Sequence, residues 1–507
     1  MSTRLRWLAA SALVILFGAA ATGPIRSYDS FWHLAAGRWI VEHQALPIHD
    51  PFAVASDPAP WINGEWLFEI GLYGFHSLAG DTGLSLARAA GIALLFALTF
   101  LVASRWADGW VALALTALAF AGGAQRLDVR PASGAALLLV FALALLTHTL
   151  HDLGEGSPRR HAVLAVAYAA LTAIWINVHP SALIAPVIAA IAVAARILTM
   201  PRPANGAALR QGVPVVLLSA IALLANPYGL TGIVSPIELT AFIRSGAFVN
   251  AEWLPSPPLV FPLLYLTIAI AGGLSIVALR RERHELWRVV LLFFFAILAM
   301  RFVRNQGLWF AAFPILAAPL APRAEGWRRT AAGALAVLLV VWTFIASDHT
   351  LGIDRTLFPV DAVARLKASA LRGNVYNPDQ FGGFLIWSFY PDRRVVTDGR
   401  NELYHQYIAE YAKARLDSRA WSALLRKYRV DLAVDEYHRE KIDVVDATTG
   451  ARRSLPASLI YFPRRQWALI AWDRAGMVFA RRAAFPQEQI ERIEIKDMVP
   501  DALIPSF

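Results

Sequence analysis

The residues able to do chemistry gather first between positions 26 and 66. That stretch holds Asp29, His33, Arg38, Glu42, His43, His49, Asp50, Asp57 and Glu65, set among Trp32, Trp39, Trp61 and Trp66. A plain connector between two apolar runs has no need of so many ionisable and aromatic groups. A carboxylate such as Asp29 can take a proton from an attacking hydroxyl. Asp50, in the tetrapeptide HDPF, is the alternative base. His33 stands four residues after Asp29, so a helix would place the two on one face. There His33 would orient the carboxylate, hold a phosphate or bond locally. Asp29, His33, His49 and Asp50 lack metal-site spacing, since neither H-x-E nor H-E-x-x-H occurs in the stretch. No metal ligand and no cofactor is therefore assigned, and a divalent ion has only weak support.

A second set lies at the ends of later apolar runs. These ends read RLDVRP (126–131), WINVHPS (175–181), NPYGL (226–230), AEWLP (251–255) and RFVRNQ (301–306). They carry Arg130, His179, Glu252, Arg301, Arg304 and Asn305. Ionisable groups near membrane depth are costly and tend to mark a substrate path. Arginine pairs with phosphate in a bidentate fork better than lysine does. The competing reading is that Trp, Pro and Asn merely cap and anchor helix ends. Trp32 and Trp66 face the same choice, between stacking on a sugar and anchoring the loop. A third set is Asp398-Gly399-Arg400 within VVTDGRNELY (395–404), a turn that poises two charges at a strand end. Its alternative is a solvated turn packing the domain on the membrane. In NPDQFGGFLIW (377–387), Gly382-Gly383 would let the backbone turn or approach a ligand closely.

The elements that must position these groups are mostly membrane spans. The chain has 507 residues, 57% hydrophobic and 17% charged, with mean hydropathy +0.48. Soluble domains carry about 25% charged residues. Of the 84 Lys, Arg, Asp and Glu residues, 45 lie from Asp348 onward, and so do all five lysines. This predicts a membrane domain over 1–346, with a large first outside loop at 25–83, and a soluble outside domain over 347–507. Spans need roughly 17–25 apolar residues. They are predicted near 7–24, 84–104, 110–123, 134–150, 162–178, 181–199, 212–225, 259–279, 287–301, 306–321 and 329–346, about eleven in all. Residues 65–79, apolar but short and holding Glu65 and Glu69, predict an interfacial helix.

Arginine placement sets the orientation. With the N-terminus inside, the inside loops hold Arg105, Arg159, Arg160, Arg202, Arg210, Arg280, Arg281 and Arg283, while later outside loops hold far fewer. This is the positive-inside bias. It puts the first loop and the C-terminal domain on one face of a cytoplasmic (inner) membrane. It also accounts for the net charge of +10 without nucleic acid as a partner. The absence of cysteine excludes disulfides and thiolate chemistry. The soluble part alternates helix and strand signals, which predicts a small α/β domain. Helices are expected at 361–373, closed by Gly373, and at 421–428. Strands are expected at 374–376, 394–397 and 432–434, with a hairpin over 466–481.

DSFWHLAAGRWIVEH (29–43), LPIHDPF (46–52), PWINGEWL (60–67), GGFLIW and TDGR resemble a group of bacterial multi-pass membrane proteins. The order of parts resembles the GT-C fold glycosyltransferases: Asp29 just past the first span, many spans, then an outside domain. That resemblance implies a polyprenyl-phosphate-linked sugar as donor and a glycan, lipid or protein as acceptor, with membrane lipids around the helices. It implies a first-loop carboxylate, here Asp29, acting on the acceptor. Asp29 is followed by Ser30, so the Asp-Glu pair of protein mannosyltransferases is absent, as is the WWDYG motif of oligosaccharyltransferases. A flippase for lipid-linked sugars and a non-catalytic membrane scaffold are the alternatives in other classes.

Overall fold

The computed structural model describes residues 1–201, 204–246, 250–437, 441–445 and 449–502. Arg202, counted above among the inside arginines, lies outside the described residues. The chain divides into two compact units. One comprises Met1–Ile25 and Ile62–Gly352; the other comprises Arg26–Trp61 and Ile353–Phe507. The first loop is thus itself divided, and its chemistry-bearing half belongs with the C-terminal residues.

The first unit is helical: α1 (Thr3–Ala21), α3 (Trp66–Trp106), α4 (Gly109–Gly123), α5 (Pro131–His151), α6 (Pro158–Val178), α7 (Ile184–Leu198), α8 (Asn205–Ala222), α9 (Leu230–Arg244), α10 (Pro262–Arg281), α11 (Leu286–Arg301), α12 (Gln306–Ala317) and α13 (Trp327–Ala346), with α2 (Ser30–His43) left to the second unit. Every expected span falls on one of these helices. Among the described residues, seven helices are long and apolar enough to cross a membrane. The others are shorter or less apolar, so the count of eleven is not reproduced by length and composition.

Small residues let these helices approach. Gly122 and Gly123 of α4 lie so close to the Phe310 side chain of α12 that a Cβ would fall 2.5 Å from its ring at the first and 2.8 Å from its Cβ at the second. Phe17 of α1 stacks on Phe120 at 4.1 Å and meets Phe96 edge-on. Several buried polar groups inside the bundle are paired. Trp309 donates to Thr267 Oγ1 at 2.8 Å, and Tyr168 donates to the Ala185 carbonyl at 2.9 Å. Such pairing is required where no water reaches. The outward side of α13 is apolar, with Val337, Leu338 and Ile345 exposed. The helix from Trp66 breaks at Gly80 (φ 63°, ψ −167°) before resuming to Trp106. The short helix expected over 65–79 therefore exists as a separate piece, with Phe75 and Leu78 exposed.

The second unit is an α/β domain built on β1 (Asn374–Tyr376), β2 (Val430–Glu436), β5 (Trp467–Trp472) and β6 (Gly476–Arg481); β3 (Lys441–Val445) and β4 (Arg452–Pro456) form a separate ribbon. The four-stranded order is β1-β2-β6-β5. The β1–β2 pair is parallel, while β6 runs antiparallel to both its neighbours. The expected hairpin is β5–β6. The expected strand at 394–397 is reduced to bridges, with Val395 between Val375 and Ala53. First-loop residues extend this edge: Val54 and Ala55 N–H donate to the carbonyls of Val395 and Val396. Helix α14 (Val360–Ala368) stops before Gly373, because Ala370 already has φ 58°.

Candidate functional site

Asp29 stands at the N-cap of α2 (Ser30–His43), the first-loop helix. Its side chain makes no capping bond. Instead the Trp32 indole N–H donates to Asp29 Oδ1 at 3.3 Å. The His33 N–H donates to the Asp29 carbonyl at 3.2 Å, which confirms that the segment is helical there. His33 is buried, with its ring 3.5 Å from that of Trp32, centroid to centroid.

Helix α15 (Asp379–Phe389) carries the Gly382-Gly383 pair. Where a turn or ligand contact was expected, the pair lies inside a helix and admits other backbone. A Cβ on Gly382 would fall 2.2 Å from the Thr397 carbonyl oxygen, and one on Gly383 would fall 2.8 Å from that of Tyr28.

Asp398-Gly399-Arg400 is not a solvated turn. Asp398 is 0% and Arg400 2% exposed. The Arg400 guanidinium donates through Nε to Asp398 Oδ1 at 2.8 Å and through Nη2 to Asp398 Oδ2 at 2.5 Å. It also reaches Asp50 Oδ1 at 2.9 Å. The Tyr404 hydroxyl donates to Asp398 Oδ2 at 2.6 Å. The rings of Trp61, Phe52 and Trp32 lie 4.4, 5.3 and 5.5 Å from the guanidinium carbon. Burial alone would push Arg400 down, but Asp398 and Asp50 hold its proton, so its pKa is well above the ordinary value. Asp50 also accepts from the N–H groups of Phe52 and Ala53, both at 3.1 Å. With its side chain 1% exposed and both oxygens engaged, Asp50 has a structural task. Glu402 follows two residues after Arg400. Burial, then the charges of Asp398 and Asp29, push its carboxyl up.

The membrane unit brings together a second group. Arg130 is hydrogen-bonded to Glu252. Against the upward push of burial, Arg130, Arg304 and Arg126 hold the Glu252 carboxyl below its ordinary value. Arg304 lies over the Trp253 ring at 4.4 Å, and Arg126 over Phe261 at 4.9 Å. Burial, with Arg304 and Arg130 nearby, pushes the His179 imidazole down to about 3. Its Nδ1 accepts from the Ser181 N–H at 3.0 Å, and Nε2 lies 3.6 Å from Glu65 Oε1. Arg301 is exposed beside Phe302. Asn305 donates to the Leu298 carbonyl at 3.3 Å and closes α11. Trp66 donates to Asn177 Oδ1 at 2.8 Å, tying the start of α3 to the end of α6.

Arg126, Tyr404, Phe52 and Glu402 were given no role from sequence, although each stood within a quoted stretch, RLDVRP, VVTDGRNELY or LPIHDPF; Gly399 was named only as part of a turn. Among the described residues, one cluster has metal-ligand spacing, Glu282, His284 and Glu285. It lies between α10 and α11, and Glu285 is already held by Arg288 at 2.7 Å.

No family model matches the chain, and no curated protein matches its sequence. Solved structures do. Archaeal oligosaccharyltransferase AglB from Archaeoglobus fulgidus, in complex with an inhibitory peptide and a dolichol-phosphate, superposes with TM-score 0.61 at 12% identity, covering 88% of this chain and 74% of that one. The Archaeoglobus fulgidus oligosaccharyltransferase tethered with an acceptor peptide gives TM-score 0.63, again at 12% identity, over 90% of this chain and 74% of that one. ArnT from Cupriavidus metallidurans in the apo state gives TM-score 0.59 at 14% identity, over 96% of this chain and all of that one. At such identities the likeness is one of fold: this chain is a polytopic helical protein with a GT-C-like fold and a C-terminal α/β domain.

Proposed function

We propose that this protein is a membrane glycosyltransferase that moves a sugar from a polyprenyl-phosphate donor to a hydroxyl-bearing glycan, lipid or protein. The observation that carries the reading is the fold likeness, which spans 96% of this chain and all of ArnT. The AglB structure, in turn, holds a dolichol-phosphate. In the reaction the acceptor oxygen attacks the anomeric carbon and the bond from that carbon to the phosphate oxygen breaks. The polyprenyl phosphate leaves with the bonding pair, and the acceptor proton passes to a carboxylate.

Asp29 is assigned as that base. It is partly exposed and accepts the Trp32 indole N–H, whereas the Asp50 side chain is fully buried against Arg400. The buried Trp32 and Trp61 flank Arg400 and offer no open sugar platform. In the membrane unit, Arg130 and Arg304 are the phosphate-binding candidates, because charge-assisted donors there would stabilise the leaving group. His179, neutral at physiological pH, would act as a hydrogen-bonding group and not as a cation. The proposed location is the cytoplasmic membrane, with transfer on its outer face.

The test is transfer by purified full-length protein from polyprenyl-phosphate-linked glucose, mannose or galactose, each radiolabelled in the sugar. Asn keeps the size of Asp but is a poor proton acceptor, and general-base contributions run roughly 10²–10⁴-fold. Asp29→Asn is expected to lower transfer by about that factor while donor binding stays intact. Full-rate transfer by Asp29→Asn would remove the base assignment. A wild type that neither consumes nor saturably binds any of the three donors would overturn the glycosyltransferase reading.

A further inference from the structure

Three glycines close a contact around Asp29. Gly383 of α15 lies against the first residues of α2, where a Cβ would fall 2.8 Å from the Tyr28 carbonyl oxygen and 3.0 Å from the Trp32 nitrogen. Gly382, one residue earlier, lies against the Thr397 carbonyl and the Asp398 Cα, at 2.2 and 2.5 Å from its would-be Cβ. Gly399 completes the ring: a Cβ there would fall 2.8 Å from Asp29 Oδ1. The start of α2, α15 and the 397–399 segment therefore touch one another pairwise. In the third contact the partner is the Asp29 carboxylate itself.

The 397–400 segment has no regular sheet to hold it. Its anchor is the buried ion cluster described above. Asp398 is fixed by two nitrogens of Arg400 and by Tyr404, and Arg400 in turn by Asp50 and three aromatic rings. Thr397 is fixed from the other side, since Asn377 Nδ2 donates to its carbonyl at 2.8 Å. A buried cluster of this sort is costly to assemble and weak evidence for stability. It does give one chosen geometry to the residue between its members, and that residue is Gly399.

We propose that the 397–400 segment is a positioning element for the Asp29 carboxylate, with Gly399 as its contact surface and the Arg400–Asp398–Tyr404 cluster as its anchor. The proposal rests on the glycosyl-transfer reading. Trp32 donates to Oδ1 from one side and Gly399 limits the room for that same oxygen on another. The rotation of the carboxylate is thereby restricted. Gly399 makes no contact with substrate in this scheme and acts only through Asp29.

Gly399→Ala is the direct probe, because the added methyl meets the tip of a side chain and no backbone. Ordinary carbon contacts begin near 3.5 Å, so the carboxylate has to shift by roughly half an ångström or more. Misplacements of about 1 Å cost on the order of a hundredfold. In the transfer assay with the three radiolabelled donors, Gly399→Ala is expected to lower kcat roughly tenfold to a hundredfold with donor KM and melting temperature unchanged. In an Asp29→Asn background the same change is expected to cost nothing further, since coupled residues are not additive. Tyr404→Phe, which removes one bond to Asp398, is expected to show a smaller loss with the same non-additivity. Gly272→Ala on α10, with open space around it, is expected to keep the wild-type rate. A full kcat in both Gly399→Ala and Tyr404→Phe overturns the proposal, as does a loss that adds fully to that of Asp29→Asn. If Asp29→Asn itself transfers at the wild-type rate, the base assignment fails instead, and the two failures are told apart by that single variant.

Discussion

Glu402 shows how closely the carboxyl groups of the second unit feel one another. Its pKa is raised by burial, then by Asp398 and Asp29, with Arg400 opposing. A carboxyl raised in the folded state contributes stability that is fully present below its unfolded value of about 4.3. That contribution is lost as pH rises through the folded value. Glu402→Gln is therefore expected to raise the melting temperature at pH 7, and the gain is expected to vanish at about pH 4. Thermal unfolding at the two pH values checks the sign; an equal shift at both would mean that the charge is not responsible. Asp50 is different in kind. Removing one partner of a buried pair strands the other and costs about 3–5 kcal/mol. Asp50→Asn would thus lower activity by unsettling Arg400, whatever carries out proton transfer. Sequence put Asp29 first and left Asp50 as the alternative; what sets Asp50 apart is Arg400, far along the chain, and no local spacing could announce it.

At the scale of elements, periodicity and turn chemistry found what they are suited to find. The β5–β6 hairpin and a helix under each expected span were legible, because each carries its own apolar pattern; helix α2 was entertained only as a condition for pairing Asp29 with His33. Helix α9 was missed. It holds Pro236 in its interior and buries only Ile243, so no core-facing stripe marks it. The glycine pair of α15 was read as a turn because glycine weakens an isolated helix by roughly 1 kcal/mol per residue. Here that cost is offset by packing against α2 and the 397–398 backbone, which a sequence pattern cannot show. The offset makes a prediction. Overpacking at such contacts costs about 1–3 kcal/mol, so Gly383→Ala is expected to lower the melting temperature followed by tryptophan fluorescence. Gly382→Ala, meeting a carbonyl oxygen at 2.2 Å, is expected to lower it further. Unchanged melting in both would mean that α15 can draw back from its neighbours freely.

For the whole molecule, the arginine bias predicts an N-terminus inside and residues 348–507 outside. Reporter fusions at Arg160 and Arg283 are expected to report the cytoplasm, and a fusion at the C-terminus the outer face. A C-terminal reporter active only in the cytoplasm would overturn the orientation. Composition made the membrane and soluble parts legible, since charge density changes near Asp348. It could not show that Arg26–Trp61 folds with Ile353–Phe507, because the residues between them are all membrane-unit residues. That division has a consequence in time. A ribosome adding 5–20 residues per second needs roughly 15–60 s to make residues 62–352. Throughout that interval Asp29 is outside its final setting, since Gly399, Arg400 and Tyr404 do not yet exist. The carboxylate proposed as base is made among the first residues, and its surroundings among the last. On that proposal, any chain that stops short of position 404 carries the carboxylate without its complete setting, and unfinished copies are expected to transfer sugar poorly.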